Sequence, residues 1–386
     1  LFSYFQGMIS RSFQPLLCKR LAAFPAVTLS GPRQCGKTTL ARSLEGVYFN
    51  LEAPEEQVRL DANWPQIMAG GELAIFDEAQ HWPEIFTRLR GEIDKDRKRN
   101  GRFLLLGSVA PSLMRGIGES LAGRMAVVDL SPFGLLETGR LQELWTCGGF
   151  PDGGVLGPAG TFPVWQESYL RAMAERDLPL WGLPAKPALT DRLLRMTAAE
   201  HGGILNLSKL GQSLGLSRHT VESYLDHLQG AYLIRRLPPL HANLRKRLVK
   251  APRLYWRDSG LLHALLRLEP STSIFSHPWV GASWEGFVIE EIIKARQARG
   301  ESFDAHFFRS HDGWEVDLVI DDARGREAIE IKLTSAPDRR DIQRLELAAG
   351  LIGANRKTLV CWIAEPIVTG DMQVTNLRAC LEAVSA

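Results

Sequence analysis

The sequence predicts an α/β protein: a parallel sheet with helices on both faces, then a helical region carrying a winged helix-turn-helix, then a small second α/β domain. Three observations predict it. The first third alternates short, continuously apolar runs with segments long enough for crossover helices, the pattern of strands buried on both faces. Between Gly148 and Pro163, six glycines and three prolines in sixteen residues break that pattern. From Trp279 a helical run is followed by three further apolar runs. A length of 386 residues allows two or three domains at about 150 residues each. The expected division is a tag remnant at 1–7, a first domain at 8–147, a hinge at 148–163, a helical region at 164–275 and a last domain at 276–386.

Composition sets the class. Hydrophobic residues make up 45% and charged residues 23%, as in ordered globular chains. No run approaches the roughly 20 apolar residues of a membrane span. Lys plus Arg total 46 against 44 Asp plus Glu, so any basic surface must come from local clustering. Cys18, Cys35, Cys147, Cys361 and Cys380 show no C-x-x-C spacing, which argues against structural zinc and disulfides and fits a reducing cytoplasm. Leu1 to Gly7 ends in Tyr-Phe-Gln-Gly, the look of a cleaved tag, with Met8 as the expected natural start.

The strands expected in the first domain are Val27–Ser30, Val47–Leu51, Leu73–Phe76, Phe103–Leu106 and Ala126–Leu130. After the first comes Gly31-Pro32-Arg33-Gln34-Cys35-Gly36-Lys37-Thr38, which satisfies G-x-x-x-x-G-K-[ST], and then Thr39 in an expected helix. In such a loop backbone amides close around phosphates at a helix N-terminus, the lysine reaches the β- and γ-phosphates, and the hydroxyl of Thr38 joins Mg²⁺. The third strand runs into Asp77-Glu78: Asp77 suits the carboxylate that holds hydrated Mg²⁺, and Glu78 the base for the attacking water. Ser108, after the fourth strand, can position that water or sense the γ-phosphate. Arg124 is the candidate arginine finger, within one chain or across a subunit boundary, with Arg33 as runner-up; a surface arginine is the bland alternative. Trp82 is placed to line the nucleotide cleft. The expected ligands are ATP or ADP and Mg²⁺.

These residues, together with Ser120-Leu-Ala-Gly-Arg124, resemble AAA-family P-loop ATPases of bacteria and archaea. Gly148-Gly-Phe-Pro151, Glu175-Arg-Asp177 and Arg257-Asp-Ser-Gly260 are similar to the subgroup whose C-terminal half is a domain of unknown function. The resemblance implies ATP binding and hydrolysis and covers nearly all of the chain from Met8.

In the middle, residues 204–237 read as a winged helix-turn-helix. Ser208 is the expected cap of a first helix, Gly215 makes the turn, and Ser217 caps a second helix with Val221, Tyr224, Leu225 and Leu228 inward. Arg218, His219 and Ser223 are then outward, where base edges are met. From Arg235 to Arg257 there are eight Lys or Arg and no Asp or Glu, including Arg245, Lys246, Arg247, Lys250 and Arg253, with Tyr255 and Trp256 beside them. Such a local field attracts DNA phosphates; a packing or protein-contact module is the alternative.

In the tail, Glu285 lies on a helical run, Asp317 on a strand, and Glu330-Ile331-Lys332 on the next. Glu330 and Lys332 share one face while Ile329 and Ile331 enter the core. Acid on a helix, acid on a strand, then E-x-K resembles the PD-(D/E)xK nuclease fold. That resemblance implies Mg²⁺ held by Asp317 and Glu330 with help from Glu285, and Lys332 orienting water. Glu290 and Glu291 compete for the role of Glu285, and a solvated Glu330–Lys332 pair is the bland alternative. The leading reading is an ATPase coupled to a DNA-binding, nuclease-like half. The others are a nucleotide-gated switch that binds DNA or a protein and cuts nothing, and an oligomeric remodeller.

Overall fold

In a computed structural model of the chain, the described residues are 9–110, 121, 123–240, 250–269, 272–369 and 372–385. The expected start at Met8 lies outside them. Packing divides the chain into two units: Leu1–Phe133 with Gly230–Tyr232, and Gly134–Gln229 with Leu233–Ala386.

The first unit is built on five strands, β1 (Ala26–Ser30), β2 (Val47–Asn50), β3 (Ala74–Asp77), β4 (Phe103–Gly107) and β5 (Met125–Asp129), each within a residue or so of its expected position. All pairs are parallel, in the order β2-β3-β4-β1-β5. Helices α1 (Gln14–Ala23), α2 (Lys37–Arg42), α3 (Pro54–Ala69) and α4 (Glu84–Lys95) connect or flank them. On α4 the buried residues Ile85, Phe86, Leu89 and Ile93 recur at helical spacing and form one apolar stripe. Phe49, Phe76 and Phe103 form a ring ladder across three neighbouring strands, with centroids 6.1 and 6.2 Å apart. Because β4 lies between β1 and β3, the segments leaving these three strands emerge side by side at one edge of the sheet.

The second unit opens with α5 (Leu135–Thr138) and α6 (Leu141–Cys147), then α7 (Val164–Ala172), whose end passes into a π-helical turn at Met173–Asp177. Helices α8 (Pro187–Ala199), α9 (Leu207–Leu214) and α10 (Arg218–Gly230) follow, then the antiparallel pair β6 (Ile234–Leu237) and β7 (Arg253–Trp256), and α11 (Ser259–Leu265). The remainder is α12 (Val280–Ala298), a six-stranded sheet, α13 (Arg339–Ile352) and α14 (Leu377–Ser385). The sheet strands are β8 (Phe303–Arg309), β9 (Glu315–Asp322), β10 (Gly325–Lys332), β11 (Arg356–Cys361), β12 (Ile367–Thr369) and β13 (Met372–Thr375), ordered β12-β13-β11-β10-β9-β8. β8, β9 and β10 form an antiparallel meander, whereas β10–β11 and β11–β13 are parallel.

The first unit ends at Phe133, not at 147, because α6 packs on α11 within the second unit. The helical part and the sheet that follows it pack into one unit: Trp145 of α6 lies 5.0 Å from Trp284 of α12 and 5.7 Å from Trp362, and its indole N–H donates to Ser283 at 3.0 Å.

The glycine- and proline-rich stretch after α6 is not a free hinge. The carboxylate of Asp258 accepts the amide of Gly149 at 2.8 Å and caps α11 through the Leu261 amide at 3.0 Å. A Cβ on Gly148 would sit 2.2 Å from that carboxylate, and one on Gly260 would sit 1.9 Å from the Cys147 carbonyl. Gln166 donates to the carbonyls of Cys147 and Gly153, and the Phe150 ring packs at a tilt against Trp165 and Tyr169. The Gly-Gly-Phe-Pro and Arg-Asp-Ser-Gly stretches are therefore two halves of one latch.

Candidate functional site

The edge where β1, β4 and β3 end carries the first cluster of polar side chains. The loop from Gly31 to Gly36 joins β1 to α2, which begins at Lys37, two residues before its expected start. Gly31 is required by space, since a Cβ there would lie 2.1 Å from the Leu130 carbonyl. Gly36 is required by conformation, with φ of +98°. Arg11, 6% exposed, braces the loop from beneath: it donates to the carbonyls of Cys35 at 2.8 Å and Ser131 at 2.5 Å and lies over the Phe133 ring. The Lys37 ammonium donates to the carbonyls of Gly31 and Pro32 at 2.9 and 2.8 Å, so it lies folded along the loop it would serve.

At the end of β3, Asp77 is buried and fully engaged. Its Oδ2 accepts the hydroxyl of Thr38 at 2.7 Å and that of Tyr48 at 2.5 Å, while Oδ1 accepts the Glu78 amide at 2.9 Å. Glu78 adopts φ +51°, a left-handed conformation that costs a non-glycine residue about 1–2 kcal/mol. That backbone turn carries its carboxylate to Ser108, whose hydroxyl donates at 2.8 Å, and to the amide of Gln80. Thr38, Asp77, Glu78 and Ser108 thus stand together, as the strand order requires. Their donor set fits a nucleotide with Mg²⁺: main-chain amides at a helix start, one hydroxyl beside one carboxylate, and a second carboxylate held by donors. Sequence reasoning missed Tyr48, Gln80 and Arg11, for which no motif spacing exists. Trp82, expected in the cleft, faces the Arg88 guanidinium at 5.1 Å. Arg33 stays on the loop and is half-buried.

Arg124 does not join this cluster. Met125 pairs with Ala26 at the start of β1, whereas Gly31 follows its end, so Arg124 lies roughly 20 Å of strand away from the loop, at the opposite sheet edge. There it forms a two-pronged ion pair with Asp94, at 2.9 and 3.0 Å. Within one chain the structure does not bring Arg124 to the Gly31–Lys37 loop.

The second cluster lies in the second unit. The Arg253 guanidinium, 4% exposed, is inserted among Glu285 (3.0 Å), Asp317 (3.3 Å) and Glu315, and the Tyr255 hydroxyl also donates to Glu285. Asp317 Oδ2 accepts the Ile331 amide at 3.0 Å, and Glu330 pairs with Lys332 at 2.8 Å. Burial, then the charge of Asp317, lifts Glu285 to about 8 and Glu330 to about 7. The competitors for Glu285 have other tasks: Glu290 holds Arg235 and Arg257, and Glu291 accepts the Leu135 amide at 2.7 Å. The arrangement does not fit a metal centre. Glu285, Glu315 and Asp317 already share Arg253, Glu330 is paired with Lys332, and among the described residues no group of three or more His, Cys, Asp or Glu is disposed to hold a metal ion. Arg253 was read as part of a basic surface; its place among the acids is the correction.

The helix pair α9–α10 has its second helix capped by Ser217, whose hydroxyl accepts the Thr220 amide at 3.1 Å, and its turn made by Gly215 at φ +71°. The first helix is capped by Asn206, which accepts the Lys209 amide at 3.0 Å, not by Ser208. Val221, Tyr224, Leu225 and Leu228 are buried and Arg218 and His219 are exposed. A cleft of about 600 Å³ at the start of both helices is lined by Arg218, Arg236, Glu222 and Lys250, among others. The basic run is weaker than its composition: Arg235, Arg236, Arg253 and Arg257 all form ion pairs with acids, and Tyr255 and Trp256 are buried. Arg245, Lys246 and Arg247 lie outside the described residues.

Among the described residues no helix is long and apolar enough to cross a membrane. Residues 23–138 match the AAA domain family. Residues 138–272 and 280–380 match two domains of unknown function, DUF8612 and DUF4143. Uncharacterized proteins of Mycobacterium tuberculosis and Mycobacterium bovis are each 33% identical over 371 residues, covering 92% of this chain and 83% of theirs. The chain therefore belongs to the family of these mycobacterial proteins and joins an AAA-family ATPase domain to a DUF4143 carboxyl-terminal domain.

Proposed function

We propose that the protein is a magnesium-dependent ATPase that works as a nucleotide-gated switch, with a carboxyl-terminal half that binds a partner and cuts nothing. One observation carries the ATPase: Thr38, Asp77, Glu78 and Ser108 meet at the sheet edge beside the Gly31–Lys37 loop. The loop amides and Lys37 would hold the phosphates, Thr38 and Asp77 the Mg²⁺, and Glu78 would draw a proton from water while Ser108 fixes its carboxylate. Bound Mg²⁺ would supply charge neutralisation of the phosphates. Arg253 supports the second half of the reading, because a buried guanidinium already occupies Glu285 and Asp317, two of the carboxylates that a nuclease would give to metal.

A second reading concerns the partner. The cleft at the start of α9 and α10, with Arg218 and Lys250 on its lining, favours duplex DNA held through phosphates. His219, exposed beside Arg218, would extend that surface.

Isothermal titration with ATP and Mg²⁺ tests the site: wild type binds and Lys37→Ala does not. Failure of the wild-type protein to bind adenine nucleotides removes the whole proposal. Supercoiled plasmid stays intact with Mg²⁺ or Mn²⁺, with or without ATP; nicking that disappears in Asp317→Ala returns the carboxyl-terminal half to the nucleases. Duplex DNA binding by anisotropy should weaken about 0.9 log unit per log unit of salt for each phosphate engaged; salt-independent binding, or none, argues for a protein partner.

A further inference from the structure

We propose that Tyr48 is a positioning residue for the metal carboxylate of the ATPase site, setting how strongly Mg²⁺ tightens nucleotide binding. The inference rests on the nucleotide reading of that site and adds a residue outside its motifs. Asp77 carries one oxygen, Oδ2, that accepts two hydroxyls at once, Thr38 at 2.7 Å and Tyr48 at 2.5 Å. The two donors differ in what surrounds them. Thr38 sits in the first turn of a six-residue helix, and its hydroxyl is the group expected to turn toward a metal. Tyr48 is clamped in place. It stands on β2, next to β3, with its ring under the Arg42 guanidinium at 4.3 Å and its own carbonyl accepting from Arg59 at 2.6 Å.

A carboxylate beside a phosphate loop can rotate, and each wrong rotamer weakens its hold on a cation. The Glu78 amide fixes Oδ1, while Oδ2 is held by two hydroxyls, of which Thr38 would also offer its oxygen lone pair to the metal. Tyr48 is the donor whose position does not depend on the metal, because it is anchored on β2 by contacts of its own. Partners of this kind, one shell behind a ligand, typically change metal affinity 10- to 100-fold when removed.

The test is the affinity of the full chain for a fluorescent ADP analogue in EDTA and in Mg²⁺, with Tyr48→Phe, which removes one oxygen and keeps the ring. In EDTA the variant binds as wild type does. In Mg²⁺ its gain in affinity shrinks by about tenfold, and Mn²⁺ bound to the nucleotide complex, read by paramagnetic resonance, weakens in parallel. An unchanged gain overturns the role of Tyr48 while leaving the nucleotide site standing. An equal loss with and without metal assigns Tyr48 to packing alone and also overturns it. A wild-type protein that ignores the analogue overturns the site reading, and the Tyr48 role with it. Circular dichroism confirms folding; should Tyr48→Phe misfold, Tyr48→Leu, which also lacks a donor, takes its place in the same two titrations with the same expected and overturning results.

Discussion

The two acidic clusters use the same side-chain chemistry and reach opposite ends. In the first unit Asp77 and Glu78 face hydroxyls and amides, neutral donors that orient a carboxylate without cancelling its charge. In the second, Glu285, Glu315 and Asp317 surround a guanidinium that supplies one positive charge among them. Buried carboxylates need a cation from somewhere. On the proposed reading one cluster receives it from solution, whereas the other has Arg253 of β7.

The contrast can be broken most sharply at Glu78. Glu78→Gln should lose about 10²–10⁴ in turnover, read as phosphate release, while nucleotide affinity stays at the wild-type value; full-speed turnover would remove Glu78 as base. Next comes Arg253→Met. Removing one partner from a buried ionic cluster costs about 3–5 kcal/mol, measured as a loss of unfolding free energy in urea. Added Mn²⁺ should recover part of that loss in the variant and leave wild type unmoved. An undisturbed variant would mean that Arg253 is not the resident cation.

A smaller effect concerns pH. Folded Glu285 and Glu330 keep protons up to about 8 and 7, against an ordinary value of 4.5. The folded state then binds more protons than the unfolded chain between these limits, so stability falls as pH rises from about 5 to 8. Glu285→Gln should flatten that slope in urea midpoints taken across the range; an equally steep variant would shift the cause elsewhere. Smallest of all is Arg124→Ala. At dilutions where subunits are apart, turnover should stay within about twofold of wild type, since the Arg124–Asp94 pair is a surface one. A large loss there would contradict the placement of Arg124 at the far sheet edge.

The sheet of the first unit was legible because each strand is a short, unbroken apolar run, and the phosphate loop because its residues are contiguous. β8 and β12 were not. Phe303–Arg309 mixes His306 and Asp304 into its aromatics, and Ile367–Thr369 is three residues long, too short for periodicity. Site residues divide the same way. Asp77, Glu78 and Ser108 follow strand ends and can be found by reading forward. Tyr48 meets Asp77 across 29 residues and Arg253 meets Asp317 across 64, contacts that only folding creates. The stretch after α6 misled for a different reason: high glycine content signals freedom when glycines serve turns, and close approach when they serve packing.

That last point reaches beyond this chain. Where Asp258 crowds Gly148 and the Cys147 carbonyl crowds Gly260, there is no room for a methyl group. Any sequence that inherits the scaffold must keep these glycines, whatever it has done with its catalysis. A search seeded on them gathers molecules of one architecture and stays blind to which of them still hydrolyse anything.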